Sequence, residues 1–519
     1  MNKIYKILII LLSLNLIEGC SKDYLDTVPT ASTATATIFE TVDNVTLALN
    51  GINSLFVIGY HMYDHGYGQW MYGEGGIKML FGNYPGNHYE ADLAGWSVII
   101  NGEWREINTS AFVTYPWYFY YSIISNANAI VVNVDNAKGA ESEKKFLKAQ
   151  ALTYRAYSYF MLSQVYCYRW SDSNNGSSSG LVLRLDTSTD KMPLSTLGNV
   201  YTQIYKDLDD AIALYTASGK EREFFYDPDI SVAYAIYARA AITRQDYPKA
   251  LTMAQNAKAG YPLMGNADYT SGFNTPTSEW IWGSFSSSDE NQQWSSFFAY
   301  HGYNSNANAV RTTPKCISKE LFNKIPATDI RRTLFLDPTG YTPGVDYITS
   351  NGKAVAGKAL YNDAFAKYPD LFSTALIFTH MNFKFKALDL PGVGNLNHIR
   401  SSEMYLIEAE AKYFLSDYTG AQNTLKSLNR DSGRDPVYTC TKTGTALLDE
   451  IKLYRAIELW GEGFDWFDLK RWGDSINRKS YAEGGNFITA HAITQNPEYG
   501  NKWTWVIPNA ETDYNDLIE

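Results

Sequence analysis

Apolar residues recur at three- and four-residue intervals along much of this chain, and those intervals predict helices. Between 447 and 460 they fall at Leu447, Ile451, Tyr454, Ile457, Leu459 and Trp460, the stripe that one face of an α-helix presents. Gly461 and Gly463 stop the run, since glycine is costly inside a helix and cheap where a chain turns. A second amphipathic turn follows over 466–472. Trp460, Trp466 and Trp472 therefore stand among Glu462, Asp465, Asp468, Lys470 and Arg471. The segment reads as a bulky apolar wedge with a charged rim, a seal for the core rather than a ligand site.

The same period predicts helices over 35–56, 116–132, 141–168 and 197–215. It also predicts two helix pairs, 231–243 with 247–259 and 402–415 with 418–428. Their turns read Asp246-Tyr247-x-x-Ala250 and Asp417-Tyr418-x-x-Ala421, a repeat resembling tetratricopeptide units. The small Ala lets the second helix nest against the first, and the Asp is placed to cap it. The two pairs are not adjacent in sequence, so the chain between 260 and 396 must loop out of the stack.

Two stretches lack this rhythm: 59–102, rich in Gly, Tyr, Asn and Trp, and 283–303. Short strands are expected at 279–282, 333–336, 375–380 and 382–387, with Trp280 and Trp282 buried on one strand face. The expected fold is mainly α: tetratricopeptide-like helix pairs form a scaffold that carries a loop-rich lobe with short strands. A single domain over 35–519 would place scaffold at 35–58, 116–260 and 397–473. Its variable lobe would lie mainly at 59–115 and 261–396. Long loops of this kind carry function more often than fold.

The N-terminus changes the picture. Lys3 and Lys6 precede the apolar run 7–16, too short to span a bilayer and suited to a secretory leader. Gly19-Cys20 follows, as in a bacterial lipobox, so residues 1–19 are expected to be cleaved. Cys20 would then carry the lipid and 20–34 form a tether. Cys167, Cys316 and Cys440 show no CxxC spacing, and buried free thiols are expected. A net charge of -11 without a long basic run argues against nucleic acid.

Several stretches together resemble the SusD/RagB family of outer-membrane nutrient-binding lipoproteins of the Bacteroidetes. They are Cys20 with Tyr24-Leu25-Asp26, Ala48-Leu49-Asn50-Gly51-Ile52, the run 151–160, Arg400 to Ala411, residues 458–473, and Trp505-Val506-Ile507-Pro508. Tyr454 and Asp465 depart from residues common in the family, which puts local salt bridges in question rather than the function. The resemblance implies a helical scaffold under a variable lobe and a lipid anchor at the outer membrane, facing outward. It also implies a SusC-like TonB-dependent transporter as partner, with polysaccharide or oligosaccharide as ligand and no catalysis. A tetratricopeptide-type scaffold without a sugar ligand, or a binder of peptides, is the alternative.

A polysaccharide needs flat apolar platforms for sugar C–H faces and amides or charges for hydroxyls. Candidates are Trp70, Tyr72 and Trp96 from the early region and Trp294, Tyr300 and Tyr303 from the middle one. Asn87, Asn101 and Arg311 are candidates for the hydrogen bonds. No cofactor is expected. The run 172–176 resembles a calcium loop only loosely, and His61, His65 and His88 lack HExxH spacing. The GxSxG letters at 176–180 lie in a polar loop rather than a strand-to-helix elbow.

Overall fold

The structure, a computed structural model, describes residues 38–57, 71–288, 294–348 and 351–518. Cys20, the leader and the tether lie outside these residues. The expected fold class is what is found: helix pairs stacked side by side, with a lobe of irregular chain and two-stranded ladders.

Helix α1 (Val42–Leu55) starts where the Thr41 hydroxyl accepts from Asn44 N. It packs on α3 (Ala111–Asn133), and between them in sequence lies α2 (Gly73–Ile77). α3 is capped by Ser110 and begins ahead of the position that Pro116 suggests, so the proline sits inside the helix. The stack continues through α4 (Glu141–Tyr166), α5 (Leu197–Ser218), α6 (Ile230–Thr243) and α7 (Tyr247–Ala257). Its last members are α9 (Ser401–Phe414), α10 (Tyr418–Lys426) and α11 (Gly444–Glu458), followed by the short α12 (Asp465–Trp472).

The two repeat turns are alike in detail. Gln245 and Ser416 both take φ of 65°, and the next residue caps the second helix: Asp246 accepts from Lys249 N at 3.3 Å and Asp417 from Gly420 N at 2.9 Å. Although 260–396 intervenes, α7 packs directly on α9. Tyr247 stacks on Phe414 at 4.2 Å and 13°, joining one pair to the next.

The lobe is tied to the stack by ladders. β1 (Tyr89–Ala91) pairs antiparallel with β3 (Lys315–Ile317), and β2 (Trp280–Ser284) with β4 (Leu396–Arg400). Trp280 and Trp282 are buried, as their alternation predicts. Of the other expected strands, Ile377–Phe378 pairs with Lys353–Ala354, while Phe335 and Asn382 form only a single bridge. One apolar core runs through stack and lobe, and a smaller one gathers around Leu360, Ile377 and Phe383. Cys167, Cys316 and Cys440 are buried and free.

The charges of the tryptophan-rich segment are not a rim. Glu458, Glu462, Asp468 and Lys470 are buried. Arg331, Lys384, Arg400 and Arg434 face Asp329, Glu279, Glu458 and Glu462, one carboxylate for each cation. Burial by itself would raise the Glu462 carboxyl, but Arg400 and Lys384 outweigh it and bring it to about 2. Glu458 is likewise held far below the usual carboxylate range by Arg434, Arg400 and Arg331, against the pull of burial. Isolated charges could not stay ionised in such a place. The network lies where α11 meets the lobe, and it draws its members from both.

Candidate ligand-binding face

Within the glycine-rich stretch that looked irregular, Gly73–Ile77 forms a buried turn of helix. α2 runs into a π-helical turn, Lys78–Asn83, and its glycines let neighbours approach. A Cβ at Gly75 would lie 3.1 Å from Phe297, and one at Gly82 only 2.1 Å from the carbonyl oxygen of Gly463. Within it the Glu74 carboxylate accepts from Tyr157 Oη at 2.6 Å and Tyr120 Oη at 2.9 Å. Burial raises the Glu74 carboxyl and pushes the Lys78 ammonium down to about 8. This buried turn packs against Phe297 and Leu396 of the lobe.

On the lobe, the early and middle aromatic regions meet. Trp96 and Tyr300 lie 6.3 Å apart at 38°, and Tyr84 meets Trp96 edge-on. Trp96 is half-buried; Tyr300 belongs to α8 (Phe297–His301) and is buried. Trp294, just ahead of α8, is 60% exposed. Its loop is fastened to the next one, since Ser296 Oγ donates to Gly392 O at 2.5 Å. That second loop shows Leu388 and Leu390 to solvent.

The other candidates are placed elsewhere. Tyr303 is buried in the smaller core against Phe383 and Tyr368. Tyr72 is buried at the head of α2. The Asn101 amide donates to Ala490 O at 3.0 Å and accepts from Arg478 at 3.2 Å. Asn87 donates to Ser475 O and accepts from Asn477 N. Arg311 donates to Thr374 Oγ1 at 2.9 Å. Trp70 lies outside the described residues.

A cleft that sequence reasoning missed has the fuller set of parts. It measures about 210 Å³ and is walled by Asn50, Asn53 and Ser54 of α1 and by Tyr226, Ser284 and Phe285. Phe224 stacks on Tyr226 at 5.0 Å and 5°, and Phe285 lies 6.1 Å from Tyr226. Phe285, in the wall, is 46% exposed, and Phe224, outside the wall but stacked on Tyr226, is 44% exposed. Trp282 backs the cleft and fixes Tyr226 by donating to its carbonyl at 3.0 Å. Asn53 is held by Asp227 and Tyr154, whereas the Asn50 amide makes no hydrogen bond among the described residues. Ser284 Oγ is buried with no hydrogen-bond partner among the described residues. The signal for this site was Phe224-Phe225-Tyr226, three consecutive rings in the polar segment between α5 and α6.

Asp172, in the calcium-like run, has both oxygens engaged by Arg169 at 2.7 and 3.1 Å. Among the described residues no group of three or more His, Cys, Asp or Glu is gathered as a metal would need. No helix among them is long and apolar enough to cross a membrane.

Comparison with known families settles the kinship. A SusD-like model, described as starch-binding and associating with the outer membrane, matches residues 67–242, and the SusD family model matches 392–518. The chain belongs to the SusD family. Solved structures resemble this SusD-family protein over nearly its whole length. A SusD-like carbohydrate-binding protein from Bacteroides vulgatus is 20% identical with a TM-score of 0.74, over 92% of this chain and 97% of that one. A SusD superfamily protein from Bacteroides thetaiotaomicron is 21% identical with a TM-score of 0.71, over 92% and 99%. One from Bacteroides fragilis is 19% identical with a TM-score of 0.65, over 93% and 100%. At these identities the likeness speaks to the fold. No curated protein sequence matches.

Proposed function

We propose that this SusD-family protein binds polysaccharide or oligosaccharide on the outer face of the outer membrane, anchored through Cys20. It delivers the glycan unchanged to a SusC-like TonB-dependent transporter. The observation that carries the reading is the cleft walled by Phe285 and Tyr226, with Phe224 stacked on Tyr226 and open to solvent and the exposed Asn50 amide in the same wall. Each open ring can cover ~100 Å² of sugar surface, contributing roughly 1–3 kcal/mol at about 25 cal/mol/Å². Two or three such rings reach the millimolar-to-micromolar range of about -4 to -8 kcal/mol. Trp294, mostly in solvent, and half-buried Trp96 offer the same chemistry elsewhere on the lobe.

Affinity electrophoresis against a panel of plant, microbial and host polysaccharides tests this. Retardation by at least one glycan, lost in Phe285→Ala, supports it; a chain that no glycan retards points instead to a scaffold or a peptide binder. Protease shaving of intact cells tests the address, and a fully protected chain would place it inside. Turnover of a purified glycan would overturn the non-catalytic role.

A further inference from the structure

A second cleft, of about 440 Å³, opens between α11, α12, the segment 83–89 and the short helix Lys319–Phe322. It shares no residue with the cleft at Phe285. Its volume falls within the roughly 300–1,000 Å³ of small-molecule sites. A run of packed rings ends at it: Trp96 meets Tyr84, Tyr84 meets Tyr89 at 5.6 Å, and Tyr89 stacks on Trp460 at 5.1 Å. Tyr89 and Trp460 line the cleft.

The walls are fixed before any ligand arrives. Lys452 Nζ donates to both oxygens of Asp474 at 2.9 and 2.7 Å, and Arg455 Nε donates to Asp468 at 2.6 Å. The Asp465 carboxylate accepts from His88 N at 2.7 Å. Two charged side chains are left over. Lys324 and Asp449 line the cleft, are exposed, and form no hydrogen bond or ion pair among the described residues. Arg455, which lines both this cleft and a smaller pocket of about 40 Å³, keeps a buried Nη1 without a hydrogen-bond partner among the described residues. Leu453 and Ala456 of α11 give the same wall a half-buried apolar strip.

The chemistry narrows the ligand. Cations and carboxylates alternate here and are mostly paired, so a charged ligand of either sign gains little net attraction. A hydroxyl group donates and accepts at once, and on this cleft Lys324 supplies a donor and Asp449 an acceptor. The apolar strip suits the C–H edge of a ring. We propose that this cleft is a second saccharide site, taking a neutral mono- or disaccharide at Lys324 and Asp449. The proposal shares its ligand class with the function proposed above but none of its residues, so the two can fail separately.

Saturation-transfer NMR on the full chain tests it, with glucose, galactose, mannose, maltose, cellobiose, lactose and gentiobiose as probes. For at least one sugar the signal should fall fivefold or more in Ala456→Trp, which fills the cleft, and in the double variant Lys324→Ala with Asp449→Ala. The same signal should persist in Phe285→Ala. The proposal is overturned if no probe gives a signal or if every signal disappears with Phe285. It is also overturned if the double variant, whose side chains hold nothing else in place, leaves every signal unchanged. Because the Phe285 cleft is read by polysaccharide retardation, a negative result here leaves that measurement standing.

Discussion

Arg400 meets Glu458 twice: Nη1 donates to its carboxylate at 2.6 Å and Nη2 to its main-chain carbonyl at 2.8 Å, both side chains being buried. The same guanidinium also reaches Glu462 and Glu279. Arg400→Met would leave three buried carboxylates short of a partner. Breaking one buried pair from one side costs about 3–5 kcal/mol, and a loss at least that large is expected in denaturant unfolding.

The network also sets a dependence on pH. Glu458 and Glu462 have folded-state values below the ordinary 4.5, so their contribution is present above that pH. It is lost as pH falls toward the folded value, which for Glu462 is about 2. Unfolding free energy should therefore drop between about pH 4.5 and pH 2. Glu462→Gln should be less stable at neutral pH and show a shallower drop through that window, checked by denaturant titration at each pH.

Two glycines should respond in opposite directions. Gly82 faces the Gly463 backbone with no space for a methyl group, so Gly82→Ala forces main chains apart. A loss of several kcal/mol, or failure to fold, is expected from overpacking and its backbone shift, ~1–3 kcal/mol or more. Gly51 lies within α1 with nothing within 4 Å of an added Cβ. Gly51→Ala should stabilise by roughly 0.5–1 kcal/mol through helix propensity. Thermal melts of the two variants check the pair.

The open rings should separate binding from folding. Phe224→Ala and Phe285→Ala are each expected to weaken glycan binding by roughly 1–2 kcal/mol, about five- to thirtyfold. Trp294→Ala should leave stability within about 0.5 kcal/mol, because its ring is mostly in solvent. Trp96→Ala should lower the melting temperature, since its ring packs on Tyr84 and Tyr300. Calorimetric titration beside thermal melts reads both effects.

The helical stack was legible because its signal is local. The apolar stripe over 447–460 corresponds to a helix at Gly444–Glu458, and the two Asp-Tyr turns share one backbone geometry. α2 was hidden for the opposite reason: Gly73 and Gly75 disfavour a helix on their own, and it is close contact with chain outside the helix, Phe56 and Phe297, that gives those glycines their use. The burial of Glu458 was equally invisible, because its partners Arg400 and Arg331 lie 58 and 127 residues away. Exposure of single rings cannot be read from spacing either. Tyr300 and Tyr303 are turned into cores, while Phe224 and Phe285, which no periodic pattern marked, stand open.

The pairing of β2 with β4 has one more consequence. Ser284 lies opposite Leu396, so the excursion between them leaves and rejoins the scaffold at neighbouring points. Lengthening such a closed segment costs only about 0.6 kcal/mol per doubling in closure entropy. Length can therefore change inside this segment at little cost, provided that Arg331 and Lys384 are kept to meet Glu458 and Glu462 of the frame.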